Sequence, residues 1–279
     1  MKRDTRLICR AVLALASLGL AISPLSAAVQ NAADAQQLAR EVIENEIRAE
    51  VDDQNLWSYR ELERRDGDEL LYEYRQTRQG TIHRLLAVNG RPLNARQRRA
   101  EDERIQRLIA SPAALREEQK KETADAEQCR RFLTLFPQAF RYREEGRQGE
   151  TATLRFAPNP GFRPQGNEAR VLHSLQGTMV VNLRQKRLVS IQGRLMTEVK
   201  FWGGLLGYLD PGGTFSVSCE NVAPGDWELK SLDVAMRGKA LLFKTIGVEQ
   251  HERYSDYSPV PPDVNLQRAA ELLRKSASE

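Results

Sequence analysis

Three histidines, His83, His173 and His251, are the natural places to look for catalysis or metal binding, and each stands alone. His251-Glu252 is not followed by a second histidine at helical spacing, so the zinc-protease helix is absent. There is no Gly-x-Ser-x-Gly elbow to carry a nucleophilic serine. The stretch Trp202-Gly203-Gly204-Leu205-Leu206-Gly207 is glycine-rich but lacks the lysine and spacing of a phosphate loop. It reads as a bend or bulge between strands. The acid pairs Glu144-Glu145 and Asp52-Asp53 are sequence neighbours at expected turns, whereas hydrolytic carboxylates face each other across a cleft. The histidines are therefore expected at the surface or at strand ends, and the acids in solvent. No catalytic residue, metal site or cofactor is expected, and the chain reads as a non-enzyme.

The start of the chain explains where such a protein works. Lys2, Arg3, Arg6 and Arg10 precede an apolar run from Ala11 to Ile22, and Ser26-Ala27-Ala28 supplies small residues at a cleavage site. This is the layout of a secretory signal peptide over residues 1–28. The apolar run is about a dozen residues, short of the roughly 20 that span a bilayer. No membrane span is expected after cleavage, and the product is expected in the periplasm or outside the cell. The signal also holds most of the charge. Residues 1–28 carry +3, so of the chain's +4 only +1 belongs to the remainder. A nearly neutral mature chain does not suit nucleic acid as a partner. Cys9 leaves with the signal, and Val29 stands where a lipid-bearing cysteine would be. Cys129 and Cys219 remain, as buried inert thiols or as one disulfide.

The elements follow from periodicity. Residues 33–50 form an amphipathic helix with Leu38, Val42 and Ile47 on one face. Strands are expected over 56–63, 69–77 and 81–88, with turns at Asp66-Gly67-Asp68 and Asn89-Gly90. Leu70, Tyr72 and Tyr74 share one face, with Glu73 and Arg75 on a wet face opposite; Ile82, Leu86 and Val88 alternate with His83 and Ala87. The region 94–136 is helical, and Ser111-Pro112 caps a second helix within it. Strand rhythm returns over 139–145, 150–157, 175–184, 187–200, 213–221, 226–237 and 240–254. Joints are expected at Glu145-Gly146, Asp210 to Gly213, Pro224 to Asp226 and Arg237-Gly238-Lys239. Ala157 to Gly166 reads as a loop. Pro259, Pro261 and Pro262 end the sheet, and Val264, Leu266, Ala270 and Leu273 mark a closing helix.

The expected fold is mainly antiparallel β with helices, α+β in class: an open barrel under a helical lid, formed by residues 29–279 as one domain. Its apolar face carries Tyr72, Tyr74, Leu86, Met179, Val181, Ile191, Leu195, Phe215 and Val217. The stripe Phe132, Leu133 and Phe136 at the end of the insert faces them as part of the lid. Either the helices leave an apolar cavity beneath them or they fill the space as a solid core.

Leu175-Gln176-Gly177-Thr178, Ile191-Gln192-Gly193-Arg194-Leu195, Pro211-Gly212-Gly213-Thr214-Phe215 and Pro224 to Leu229 form a strand-turn rhythm. With the signal, the early helix and the insert, it resembles the periplasmic lipoprotein-carrier superfamily typified by LolA and LolB-like proteins. That resemblance implies an unclosed β-barrel with a helical lid over a cavity that holds acyl chains. The long charged insert departs from a minimal carrier, and the missing lipid-bearing cysteine argues against the outer-membrane acceptor type. The expected function is carriage of a lipid, a lipidated protein or another amphiphile. The alternative is an envelope sensor or adaptor whose partner is a protein. N-terminal sequencing of the exported chain is expected to read from Val29; an intact Met1 in a membrane fraction would overturn the export reading.

Overall fold

The computed structural model describes residues 24–65, 67–201, 207–240 and 244–277. The export segment lies outside them up to residue 23, and Pro24 to Ala28 begin the first helix, α1 (Pro24–Asp52). The glycine-rich stretch 202–206 also lies outside the described residues.

After α1 come β1 (Trp57–Arg65), β2 (Asp68–Thr77), β3 (Gly80–Val88) and the two-residue β4 (Arg91–Pro92). Asn89 and Gly90 both take positive φ, as a tight hairpin requires, and Asn-Gly is the pair that best tolerates it. Two helices follow, α2 (Ala95–Ala110) and α3 (Pro112–Ala139). Asn94 and Gln97 form a capping box on α2, while Ser111 caps α3 with proline in its first turn. The chain continues through β5 (Phe140–Gln148), β6 (Thr151–Pro158), α4 (Gly166–Leu172), β7 (Leu175–Asn182), β8 (Arg187–Leu195), β9 (Val199–Phe201) and β10 (Gly207–Leu209). It closes with β11 (Thr214–Ala223), β12 (Asp226–Ala240), β13 (Lys244–Pro259) and α5 (Leu266–Ser276).

Among the described residues the strands form one sheet in the order β4-β3-β2-β1-β13-β12-β11-β8-β7-β6-β5, antiparallel throughout and not closed into a barrel. The first strands of the chain lie beside the last one: Glu61 faces Tyr254 and Glu63 faces Glu252. Directly opposed residues share a face. One such line runs Leu154, Met179, Ile191, Val217, Leu232, Glu252, Glu63 and Leu70 across the sheet.

Over β5 to β8 this face is covered by α1, whose Ala35, Leu38, Ala39, Val42 and Ile43 are buried at helical spacing. They pack with Phe136, Phe140, Leu154, Phe156, Met179, Val181 and Leu195 as the main core. A second, smaller core lies on the opposite face of β2 and β3. There Ile82 meets Leu266, Ala269, Ala270 and Leu273 of α5 and Ile105 of α2.

Several expectations are corrected here. Glu145-Gly146 is a bulge inside β5, and its hairpin turns later, at Gly149. Arg237-Gly238-Lys239 is continuous strand; Gly238 is needed because β10 passes so close that a Cβ would lie 2.1 Å from the Tyr208 carbonyl oxygen. The stretch 187–200 breaks into β8 and β9, and α4 follows directly on the expected Ala157–Gly166 loop, where no element was expected. The face of β2 expected to be wet is buried under α5: Glu73 accepts from Ser276 and Arg75, and Arg84 pairs with Asp102 at 2.6 Å. A bulge between Leu71 and Tyr72 changes the parity of β3, so Leu85 rather than Leu86 stands opposite Tyr72.

Both ends of the sheet are capped by helix side chains. At the β5 end, Gln36 of α1 accepts from the Tyr142 amide at 3.2 Å. At the β3 end, Glu101 of α2 accepts from the Leu85 amide at 2.9 Å, and Arg104 donates to the His83 carbonyl at 2.6 Å. The backbone groups so occupied are closed to a strand of another chain. Leu273→Ala, which empties a fully buried site between α5 and β2–β3, is expected to cost about 2–5 kcal/mol in urea unfolding.

Candidate functional site

Where α1 no longer covers the inner face, its composition changes from aliphatic to aromatic and acidic. Five of the seven tyrosines stand there, Tyr59, Tyr72, Tyr74, Tyr254 and Tyr257. Tyr59 is central: it stacks on Tyr74 at 4.9 Å between ring centres and on Tyr257 at 5.3 Å, and leans on Tyr254 at 6.0 Å. Tyr72 and Tyr74 both contact His83, at 5.5 and 5.1 Å. Every ring is half-buried.

Two carboxylates lie among these rings. Glu61 is 8% exposed and Glu252 is 7% exposed. Glu252 accepts from Tyr254 Oη at 2.5 Å and from Gln250. Burial raises the Glu61 carboxyl to about 7, against the hydrogen bond from Tyr74 and with the charges of Glu252 and Glu63 adding to the rise. Burial and the acids around them also hold Tyr59, Tyr74 and Tyr254 well above the ordinary phenol range. His83 is lowered by burial and by Arg104.

An acidic cleft adjoins this face. It has a volume of ≈ 540 Å³ and lies between the end of α1 and the β11–β12 hairpin, lined by Glu46, Glu50, Asp53, Asp226, Glu228 and Arg187 among others. Arg187 is committed to Glu46 at 2.9 Å. Glu228 connects the cleft to the tyrosines, since it faces the Trp57 indole nitrogen without closing a good hydrogen bond and its charge is felt at Tyr257 and Tyr59. Burial, then Asp53 and Asp226, raise Glu228 to about 7.

Helix α3 crosses from one end of the sheet to the other. At one end Leu115 packs on the smaller core, and Gln119 donates to the Gln79 carbonyl at 2.7 Å beside β3. At the other end Arg130 pairs with Glu50 of α1 at 3.1 Å, and Phe136 stands edge-on to Phe140 at 5.2 Å. Between these anchors its residues are almost all exposed, and Lys120 and Lys121 pair with Glu117 and Glu118 of the same helix. A helix polar on all sides bridges without packing. At ~1.5 Å per residue, α3 is about 42 Å long.

The residues singled out by sequence fall into two groups. Met179, Val181, Ile191 and Leu195 belong to the main core, where α1 lies on them; Phe215 and Val217 border it. Tyr72 and Tyr74 lie on the aromatic half, and Leu86 is left without a strand partner at the bulge. Phe132, Leu133 and Phe136 pack into the main core beside α1. His83 is inside the aromatic cluster rather than at the surface, while His251 pairs with Asp233 at 2.7 Å. Glu144 and Glu145 sit on β5 in ion pairs with Arg147 and Arg155 instead of at a turn. Cys129 and Cys219 are both free thiols. Cys129 is exposed rather than buried, and burial pushes Cys219 up to about 12. Glu61, Glu252, Tyr59, Tyr254 and Tyr257 were not singled out. Their signal was the clustering of tyrosine in strands that only tertiary pairing brings together.

The chain matches no family model, no curated protein and no solved structure. Among the described residues no group of His, Cys, Asp and Glu could hold a metal ion, and no helix is long and apolar enough to cross a membrane.

The raised Glu61 makes stability depend on pH. The folded chain keeps a proton on Glu61 that the unfolded chain releases above about 4.5, so stability falls as pH rises from there to about 7 and then levels off. Glu228 acts in the same window and sense. Glu61→Gln is expected to flatten the melting temperature between about pH 5 and about pH 8 relative to wild type. Parallel profiles for the two proteins would refute this assignment.

Proposed function

We propose that this is an exported carrier of a lipid, a lipidated protein or another amphiphile, and that the ligand enters between α3 and the aromatic half of the inner face. The observation that carries this reading is the anchoring of α3: held at both ends, it passes over the sheet with an unpacked, charged middle. An alkyl chain placed beneath such a strap leaves water at a gain of about 0.8 kcal/mol per CH₂. The tyrosine rings give it an apolar bed, and their hydroxyls and the adjoining carboxylates receive a polar head. The main core, filled by α1, then serves as the rigid wall against which the strap is hinged. Release requires that a partner favour a state with the strap displaced, since only differential affinity shifts such an equilibrium. The resemblance to LolA and LolB-like carriers supports the same reading, as does the signal-like start of the chain.

Protein purified from its host without detergent is expected to carry lipid in native mass spectrometry, and delipidated protein to take up a fluorescent amphiphile. A cysteine pair introduced at Glu122 and Thr81, whose side chains meet between α3 and β3, is expected to slow uptake at least about tenfold when oxidised. A delipidated chain that binds no amphiphile, but retains an envelope protein on a column, would favour the adaptor reading.

A further inference from the structure

We infer that the exposed face of α2 is a docking surface for an anionic lipid bilayer, formed by Arg91, Arg96, Arg98, Arg99 and Arg107. Such docking adds a loading step to the carrier reading without depending on it.

All five arginines are exposed, and among the described residues none closes an ion pair or a side-chain hydrogen bond. The acids on the covered side of α2 are already taken, Glu101 by Arg104 at 2.7 Å and Asp102 by Arg84 at 2.6 Å. At the neighbouring turn Asn89 donates to Asp68, and Arg64 holds Glu69 at 2.6 Å. Glu103 is the acid on the exposed face of α2, so five arginines against it leave +4 on this surface. The whole chain after residue 28 carries only +1. The placement of the charge is also locally unfavourable. Arg96, Arg98 and Arg99 crowd the start of α2, the positive end of its dipole, where acids stabilise and none stands in the first turn. The amides there are closed by the Asn94–Gln97 capping box, so an anion would meet the guanidinium groups instead. Departures from a local rule of this kind mark function.

The surface suits lipid phosphates in its chemistry and its extent. Arginine grips phosphate through two parallel hydrogen bonds, and a hollow of ≈ 580 Å³ between Arg91 and Gln97 gives a headgroup room. Arg96 and Arg107 stand about 16 Å apart along the helix, farther than one small anion reaches. The large apolar side chains exposed among the described residues, Val51 and Met196, are not on α2, so contact is with headgroups and without insertion. The acidic cleft lies at the start of β1 and the arginines past its end, about 30 Å away along the strand. These two poles turn the molecule so that the arginines face a negative surface and the acids face away. Because α2 runs through Ser111 into α3, docking brings the β3 anchor of the strap to the bilayer.

The test is flotation of the delipidated mature chain with vesicles of phosphatidylcholine alone or mixed with phosphatidylglycerol. Binding is expected only where phosphatidylglycerol is present, and is expected to be lost in high salt, which screens exposed charge. The triple variant R96Q/R98Q/R99Q is expected to weaken it at least about tenfold. The control R143Q/R170Q/R194Q removes the same charge from exposed arginines of β5, α4 and β8, and is expected to stay within about twofold of wild type. Thermal melting checks that each is folded, and Arg99→Gln alone, with an expected loss of about fivefold, replaces a triple variant that is not. Equal losses in the two triple variants would overturn the α2 surface. So would a folded wild-type chain that ignores phosphatidylglycerol or binds both vesicles alike. Heparin bound without vesicle binding would overturn it in favour of a soluble polyanion. Uptake of a fluorescent amphiphile without vesicles reads the carrier separately. Uptake without vesicle binding overturns the docking surface alone, and vesicle binding without uptake overturns the carrier alone.

Discussion

The antiparallel pairing of β1 with β13 is the constraint from which the rest of the structure follows. It brings Trp57 opposite Pro259 and Glu63 opposite Glu252, residues separated by most of the described chain. Without it, the β1–β4 ladder and the β5–β13 run would each present an apolar face and an open edge. With it, they become one sheet with one continuous inner face. Such a long-range contact costs loop-closure entropy before it is rewarded, but that cost grows only slowly with length. The ladder it creates extends over nearly all of β1.

A continuous face must be covered or made tolerant of water, and this chain does both. Helix α1 takes the aliphatic half, where Val42, Ile43, Met179 and Leu195 exclude solvent. The other half carries tyrosine, whose ring can be half-buried while its hydroxyl reaches a polar partner. Tyr254 illustrates this by donating to Glu252, and Tyr257 by donating to the Leu229 carbonyl at 2.7 Å. The phenols hydrogen-bond the two buried carboxyl groups, and Glu61 keeps its proton to about pH 7.

The helices also manage the ends of the sheet. Gln36, Glu101 and Arg104 occupy the backbone groups of β5 and β3 that a neighbouring strand would otherwise take. Because α3 is anchored at both ends, the two sheet ends are tied together through a helix rather than through hydrogen-bonded strands. The gap between the two sheet ends is thus spanned by a helix whose residues between Glu122 and Arg130 are almost all exposed, so few packing contacts oppose its movement.

Much of this was legible in the sequence because it is local. The stripe on α1, the cap at Ser111, the Asn89-Gly90 turn and the order of most helices and strands all arise from contacts within a few residues. Tyr72 and Tyr74 share one face of β2, as alternation within a single strand dictates. Three things belonged to tertiary structure. Bulges changed parity, so Leu85 displaced Leu86. Glycines that look like turns, Gly146 and Gly238, lie within strands because neighbouring strands continue past them. And the wet side of β2 became a core because α5, from the far end of the chain, lies on it. Side-chain alternation says that a strand has two faces, but which face is covered depends on the partner that pairs with it and the helix that lands on it. The Tyr59–Glu61–Tyr254–Glu252 cluster exists only because β1 and β13 meet, and no local pattern encodes that meeting.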